Sequence, residues 1–195
     1  MYNIVVCATS YAETTDEVWV VKGNNEELCK RFGAWEPRVQ KLCKLSTDFM
    51  KWRLCDLSIL STWVHPSGKV CLLGDSCHPM LPYLAQGAAQ AAEDSAVLRQ
   101  CLASYIDLHA ALKRYEDIRR PRASLIQSKT REHQYILHID DGKEQEERDD
   151  KMRQNAEVNP VFWGYEPRRN WLFGYDAEQL HKGNQMWNDN VQSSL

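Results

Sequence analysis

The sequence predicts an α/β fold, on three observations. Residues 69–74, Lys-Val-Cys-Leu-Leu-Gly, form a continuous apolar run ending in glycine. That is the pattern of a strand buried on both faces, as in a parallel sheet. A proline-containing loop follows from His78 to Pro82, and helix-forming residues then run from Gln86 to about Ser104. Earlier in the chain, β-branched and aromatic runs at 2–7 and 17–22 read as short strands.

Taken in order, the run at 2–7 starts directly after Met1, with no turn or cap before it. The run at 17–22 carries Val18, Trp19, Val20 and Val21. Asn24-Asn25-Glu26-Glu27 is a helix-start signal, with Leu28, Phe32 and Trp35 giving an apolar face. Pro37 restarts the chain; Val39, Leu42 and Leu45 suggest a short helix, and 51–56 a strand leading out. The character changes near Trp63, where His65-Pro66-Ser67-Gly68 is turn chemistry. In the helix after Gln86, the small residues Gly87, Ala88, Ala91 and Ala92 allow close approach of other backbone. Residues 108–138 show helical spacing at Leu108, Leu112, Tyr115, Ile118, Arg122 and Leu125, with Pro121 expected to kink the helix. Residues 140–153 mix both signs of charge, as a solvated helix or linker does. The tail carries Trp163, Trp171, Phe173 and Trp187 among polar residues and is expected to dock as irregular structure.

Composition narrows the function classes. The 195 residues carry a formal net charge of -3, which gives no global reason to expect nucleic acid or an anionic membrane surface. Arg119, Arg120 and Arg122 stand beside Glu116 and Asp117, a packed or solvated helix face rather than a phosphate-binding patch. No run reaches the roughly 18 to 20 apolar residues of a membrane span. The first residues lack a basic, then apolar, leader, so a cytoplasmic protein is expected. The seven cysteines are odd in number and contain no Cys-x-x-Cys, the usage of reduced intracellular thiols. Cys71, Cys77 and His78 are close in sequence, but no second ligand pair has suitable spacing, so no metal site is expected.

One constellation carries chemistry. Gly74-Asp75-Ser76-Cys77-His78-Pro79 leads through Pro82 to Gln86-Gly87-Ala88-Ala89-Gln90-Ala91-Ala92-Glu93-Asp94-Ser95. It reads as strand, acidic residue at the strand's carboxyl end, tight loop and helix. Ligands of open α/β sheets bind outside those strand ends. A carboxylate there accepts from a ribose hydroxyl, and the unpaired first amides of the helix suit a negative charge. The same residues are equally compatible with an ordinary turn and a packed helix.

The stretch is similar to the second FAD-binding motif of class A flavoprotein monooxygenases, the salicylate and para-hydroxybenzoate hydroxylase group. Their pattern is Gly-Asp-Ala/Ser-x-His-x-x-x-Pro, then Gly-Gln-Gly or Ala-Gln-Gly, then Glu-Asp. The residues 62–66, Thr-Trp-Val-His-Pro, resemble the family too, as do Tyr115-Glu116, Arg119 and Arg122-Ala123. Trp171-Leu172-Phe173-Gly174-Tyr175-Asp176 resembles the closing segment of fungal salicylate-hydroxylase-like members. The resemblance implies an FAD-dependent hydroxylase acting on a small electron-rich aromatic, phenol-type, with NAD(P)H as reductant and O2 as oxygen donor. It implies that Asp75 bonds the ribitol or ribose region of FAD. The backbone at Gly87 and Ala88 would meet the flavin end, and Pro82 would lie in the loop beside the isoalloxazine. It assigns no catalytic residue and no metal.

Against that family the chain is short. None of its nine glycines forms the Gly-x-Gly-x-x-Gly turn that holds the ADP pyrophosphate. At Asp56-Leu57-Ser58 relatives usually carry Asp-Arg. The implied fold is the C-terminal remnant of a doubly wound FAD-binding fold, with part of a substrate-domain sheet and a helical C-terminal region. It divides into a remnant of substrate-domain sheet and helices (1–62), the C-terminal part of the FAD-binding domain with the long helix after it (63–138), and a charged helix or linker with an aromatic tail (139–195). A parallel sheet without its first strands has unpaired edges. The expected consequences are self-association or pairing with a longer relative, poor folding, or a protein longer than these 195 residues. The alternative function is a non-catalytic remnant that docks on a full-length relative.

Overall fold

The structure, a computed structural model, describes residues 4–8 and 19–179. The chain forms two compact units, Met1–Leu54 and Cys55–Leu195. In the first, β1 (Val20–Lys22) pairs antiparallel with β2 (Met50–Trp52), Val20 opposite Trp52 and Lys22 opposite Met50. Between them lie α1 (Asn25–Arg31) and α2 (Pro37–Leu45). The Asn24 side chain caps α1 by accepting from Glu26 N–H at 2.8 Å, and Glu26 and Glu27 complement the helix dipole there. Pro37 opens α2, where its missing N–H costs nothing. Phe32 and Cys43 are buried, while Trp19, Met50 and Trp52 are exposed, Trp52 at 69%.

The second unit is built on two helices. α3 (Gly87–Ser104) packs against α4 (Leu108–Leu137) across a connection of residues 105–107. Asp107 caps α4, accepting from Ala110 N–H at 2.8 Å. The core between the helices holds Trp63, Cys77, Val97, Cys101, Tyr115 and Ile118. α5 (Lys143–Met152) has no buried residue, as its charge pattern requires. α6 (Glu166–Phe173) follows a 3-10 turn at Phe162–Gly164. A second cluster gathers Leu84, Ile126, Phe162 and Leu172, with Met80, Trp163 and Trp171 packed on it.

Several expectations are corrected. Residues 69–74 form no strand of a parallel sheet; the sheet among the described residues is the antiparallel pair β1–β2. A buried parallel strand needs a hydrogen-bonded neighbour on each edge. Here the run's backbone ladder, among the described residues, is with the chain just before it alone. His65 N–H donates to Val70 C=O and Leu72 N–H to Trp63 C=O, both at 2.9 Å, around a single antiparallel bridge Val64–Cys71. Residues 4–8 carry no regular structure, and the strand expected at 51–56 is confined to Met50–Trp52. The helix assignment of α4 runs unbroken through Pro121. Of the tail aromatics, Trp163 and Trp171 pack on the second cluster but Phe173 is 59% exposed. An eight-residue helix has one inward face, and Leu172 occupies it. Trp187 lies outside the described residues.

Candidate functional site

The Gly-Asp turn is a 3-10 turn, Gly74–Ser76, lying on α3. Gly74 adopts φ +62, and a Cβ there would stand 3.3 Å from the Ala91 Cβ, so both backbone and packing favour glycine. Its carbonyl accepts from the N–H groups of Cys77 and His78, each at 3.0 Å. Ser76 Oγ donates to the Leu73 carbonyl at 2.7 Å and accepts from Leu73 N–H at 3.0 Å. Asp75, between these fixed residues, is exposed and has no hydrogen-bond or ion-pair partner among the described residues.

Asp75 stands over the start of α3. A Cβ built on Gly87 would lie 4.0 Å from Asp75 Oδ1, with nothing else within that distance. Nothing within the described chain therefore requires glycine at 87. Gln86 is the N-cap but supplies no side-chain cap. The first ladder bond runs from Gln90 N–H to Gln86 C=O at 2.8 Å, so the amides of Gly87, Ala88 and Ala89 precede the ladder. Ala88 is exposed. Pro82 is exposed on the 3-10 turn Pro82–Leu84, which Gln127 steadies from α4 by donating to the Pro79 carbonyl at 2.9 Å. The structure thus brings Asp75 and Gly87 side by side, with Ala88 next in the helix. Pro82 lies in the connecting loop, on a turn that packs against α4. A shallow hollow of about 350 Å³ at the end of α4 (Tyr135, His138, Asp141, Glu144) shares no residue with this face.

Behind the open face sits a buried ion-pair network. Asp94, 0% exposed, accepts from Gly74 N–H (3.0 Å), His78 Nε2–H (2.6 Å) and Arg119 Nε–H (2.8 Å). Burial alone would raise its pKa, but the His78 bond and the Arg119 charge outweigh it and hold the carboxyl below the usual range. Arg119 also donates to Glu93 at 2.5 Å and to Gln90 Oε1 at 2.7 Å. Arg122 donates to both Glu93 oxygens, at 2.8 and 3.0 Å, and to the carbonyls of Trp171 and Leu172 at 3.1 and 3.0 Å. Its guanidinium lies 4.4 Å from the Trp171 ring centre and 4.1 Å from that of Tyr175.

The ligand-type atoms of Cys77, His78 and Asp94 lie within 4.8 Å of one another. Their chemistry opposes a cation. Asp94 is already filled, and Arg119 places positive charge against it. Burial and then the Asp94 charge push the Cys77 thiol up to about 12, so it stays protonated rather than ligating.

Two further anchors come from α4. Glu116 Oε2 accepts from Thr62 Oγ1–H, Trp63 N–H and Val64 N–H, each at 2.9 Å. Burial acts to raise its pKa, yet Lys113 and these donors bring it down to about 2. His133 donates from Nδ1 to the Lys129 carbonyl (2.7 Å) and accepts at Nε2 from Phe162 N–H (2.8 Å), which fixes one neutral tautomer. Where relatives carry an arginine after the equivalent of Asp56, Arg131 of α4 bonds the Asp56 carboxylate and the Leu57 carbonyl. The resemblance names Glu93, Asp94, Glu116, Arg119 and Arg122, the sequence also gives Glu116, Arg119 and Arg122 as a packed or solvated helix face, and the helical spacing of α4 includes Arg122.

Residues 57–130 match the family described as FAD binding domain. The chain is 40% identical over 161 residues to FAD-dependent monooxygenase OpS4 of Beauveria bassiana, covering 78% of this chain and 37% of that protein. It is 36% identical over 166 residues to 3-amino-4-hydroxybenzoate 2-monooxygenase PtnB3 of Streptomyces platensis, covering 85% of this chain and 39% of that one. Among solved structures, a salicylate hydroxylase substrate complex superposes with a TM-score of 0.65 at 30% identity, over 85% of this chain and 38% of the other. The chain thus spans 37% and 39% of the two curated relatives' length.

Proposed function

From the premise that residues 57–130 belong to the FAD binding domain family, in a chain similar to FAD-dependent aromatic monooxygenases, we propose that this chain contributes the flavin-facing half of such an enzyme. Its substrate class is a small phenol-type aromatic, with O2 and NAD(P)H as co-substrates, in the cytoplasm. When bound, FAD supplies the redox chemistry: it takes electrons from NAD(P)H and activates oxygen for transfer to the ring. The chain's own residues bind and orient. The Asp75 carboxylate accepts from a sugar-alcohol or ribose hydroxyl. The free amides of Gly87 and Ala88, at the positive end of α3, face the electron-rich part of the cofactor. Pro82 borders the ring.

The observation that carries this reading is the exposed, unpartnered Asp75 beside Gly87, where the chain itself has no use for a glycine. The residues fit one end of the cofactor. The described residues offer no glycine-rich pyrophosphate turn, so we expect the 195-residue chain alone to lack stoichiometric FAD. A longer relative supplies the rest. The exposed Trp19, Met50 and Trp52 around the β1–β2 sheet favour that pairing. Flavin fluorescence quenching tests the site, with a longer relative present where needed. Asp75→Ala should weaken FAD binding by about 1.5 to 3 kcal/mol, roughly ten- to a hundredfold. Asp75→Asn should be milder, Gly87→Val worse than either, and Asp149→Ala silent. Equal affinity of the parent and Asp75→Ala, both folded, would make Asp75 a turn residue only.

A further inference from the structure

Asp94 lies on the inner side of α3, away from any position a ligand could reach, yet it holds both ends of the turn that presents Asp75. Its Oδ2 accepts from Gly74 N–H at 3.0 Å and from His78 Nε2–H at 2.6 Å, and these residues bracket Asp75, Ser76 and Cys77. Its Oδ1 is taken by Arg119 Nε–H at 2.8 Å. Arg119 in turn spans Glu93 and both oxygens of Gln90, so the guanidinium cannot swing without breaking bonds along a full turn of α3. Cys77 also packs in the core and the His78 ring lies 5.2 Å from that of Trp63, but among the described residues no other hydrogen bond of the turn reaches α3. Its remaining bonds, Cys77 and His78 N–H to Gly74 C=O and Ser76 to Leu73, stay within residues 73–78. They shape the turn without attaching it to the helix.

We propose that Asp94, locked by Arg119, is the positioning residue of this site: it pins the Gly74–His78 turn to α3 and so sets where Asp75 stands over the first amides of the helix. This rests on the reading of Asp75 as an FAD ligand. A carboxylate suits the task better than an amide. It accepts three donors at once, whereas the NH2 group of an asparagine would face the Gly74 and His78 donors or, with the amide flipped, Arg119 Nε–H, donor against donor in either case. The carboxylate charge makes these bonds charge-assisted and so stronger than neutral ones.

The test compares Asp94→Asn with Val97→Ala, a core truncation one turn further along the same helix that removes no hydrogen bond to the turn. Amide hydrogen exchange of Gly74 tests the positioning itself, and FAD titration of the same variants with a longer relative present tests its consequence. Asp94→Asn should speed Gly74 exchange tenfold or more while amides later in α3 keep their protection. It should weaken FAD binding at least tenfold. Val97→Ala, at a comparable melting shift, should leave both at parent values. Parent-like exchange at Gly74 in Asp94→Asn overturns the inference. So does an equal effect of Val97→Ala, which would reduce Asp94 to a general stability role. If Gly74 exchange responds as expected while the parent and Asp75→Ala bind FAD alike, the positioning stands and the flavin reading falls.

Discussion

The two faces of α3 are opposites made from neighbouring residues. Inward, Gln90, Glu93 and Asp94 are bonded by Arg119, and Glu93 by Arg122 as well, and Val97 and Cys101 fill the core. Outward, Gly87 meets only Asp75, and Ala88, Ala92 and Ser95 are exposed. Of the motif's two aspartates, Asp94 has three donors and Asp75 has none within the described chain. The contrast separates what the sequence keeps for folding from what it leaves for something else. A protein that needed both acids for stability would have paired both.

The comparison is broken most severely from the inside. Arg119→Ala leaves Asp94 facing a void without its arginine, while Glu93 keeps only Arg122, and stranding a buried charge costs about 3 to 5 kcal/mol. Urea denaturation should show that loss, or no folded state at all. A cost within 0.5 kcal/mol would mean the network is not the clamp described. Asp75→Ala, outside, should leave the urea midpoint within about 0.5 kcal/mol of the parent.

Acid provides a graded version. The Glu116 carboxyl sits at about 2 in the folded chain against an ordinary value of 4.5. Its folded pKa is depressed, so its stabilisation is present above the unfolded value and drains away as pH falls from 4.5 towards about 2. The partner Lys113 is 51% exposed, which moderates the pair, so the linked stability is roughly 1 to 3 kcal/mol. Melting of the parent against Glu116→Gln between pH 7 and pH 3 checks this. The parent should lose its advantage over the variant in the acid range, and a constant gap across that range would show the carboxylate is not the titrating anchor.

The smallest effect lies outside. Gly87→Ala adds a methyl at a helical position where the nearest heavy atom would be Asp75 Oδ1 at 4.0 Å. Replacing glycine in a helix should then stabilise the chain by about 0.5 to 1 kcal/mol. A drop in melting temperature instead would reveal an intramolecular need for glycine. It would weaken the case that the vacancy serves a ligand.

Legibility in the sequence followed the range of the interactions. α3 begins where the small residues after the proline loop predict it, and α4 ends within a residue or two of the expected 138, because spacing and caps are local. The apolar run at 69–74 could not be resolved locally. The same residues make a central strand or half of a short hairpin according to which neighbours are present, and here only residues 63–65 are. The network was invisible for another reason. Arg119 stands 25 residues from Asp94, and no pattern of charge states which guanidinium meets which carboxylate. Phe173 was misjudged because a large apolar residue was assigned burial by type, while the short α6 offers a single inward face.

Arg122 ties together stretches far apart along the chain. It binds Glu93, 29 residues earlier, and the Leu172 carbonyl, 50 residues later. The α3–α4 hairpin can close early, since only residues 105–107 separate the helices. The tail gains nothing until that hairpin exists, because its docking carbonyls meet a guanidinium that Glu93 must first hold in place. Assembly therefore has a direction. The long-range closure onto the tail comes after the local one.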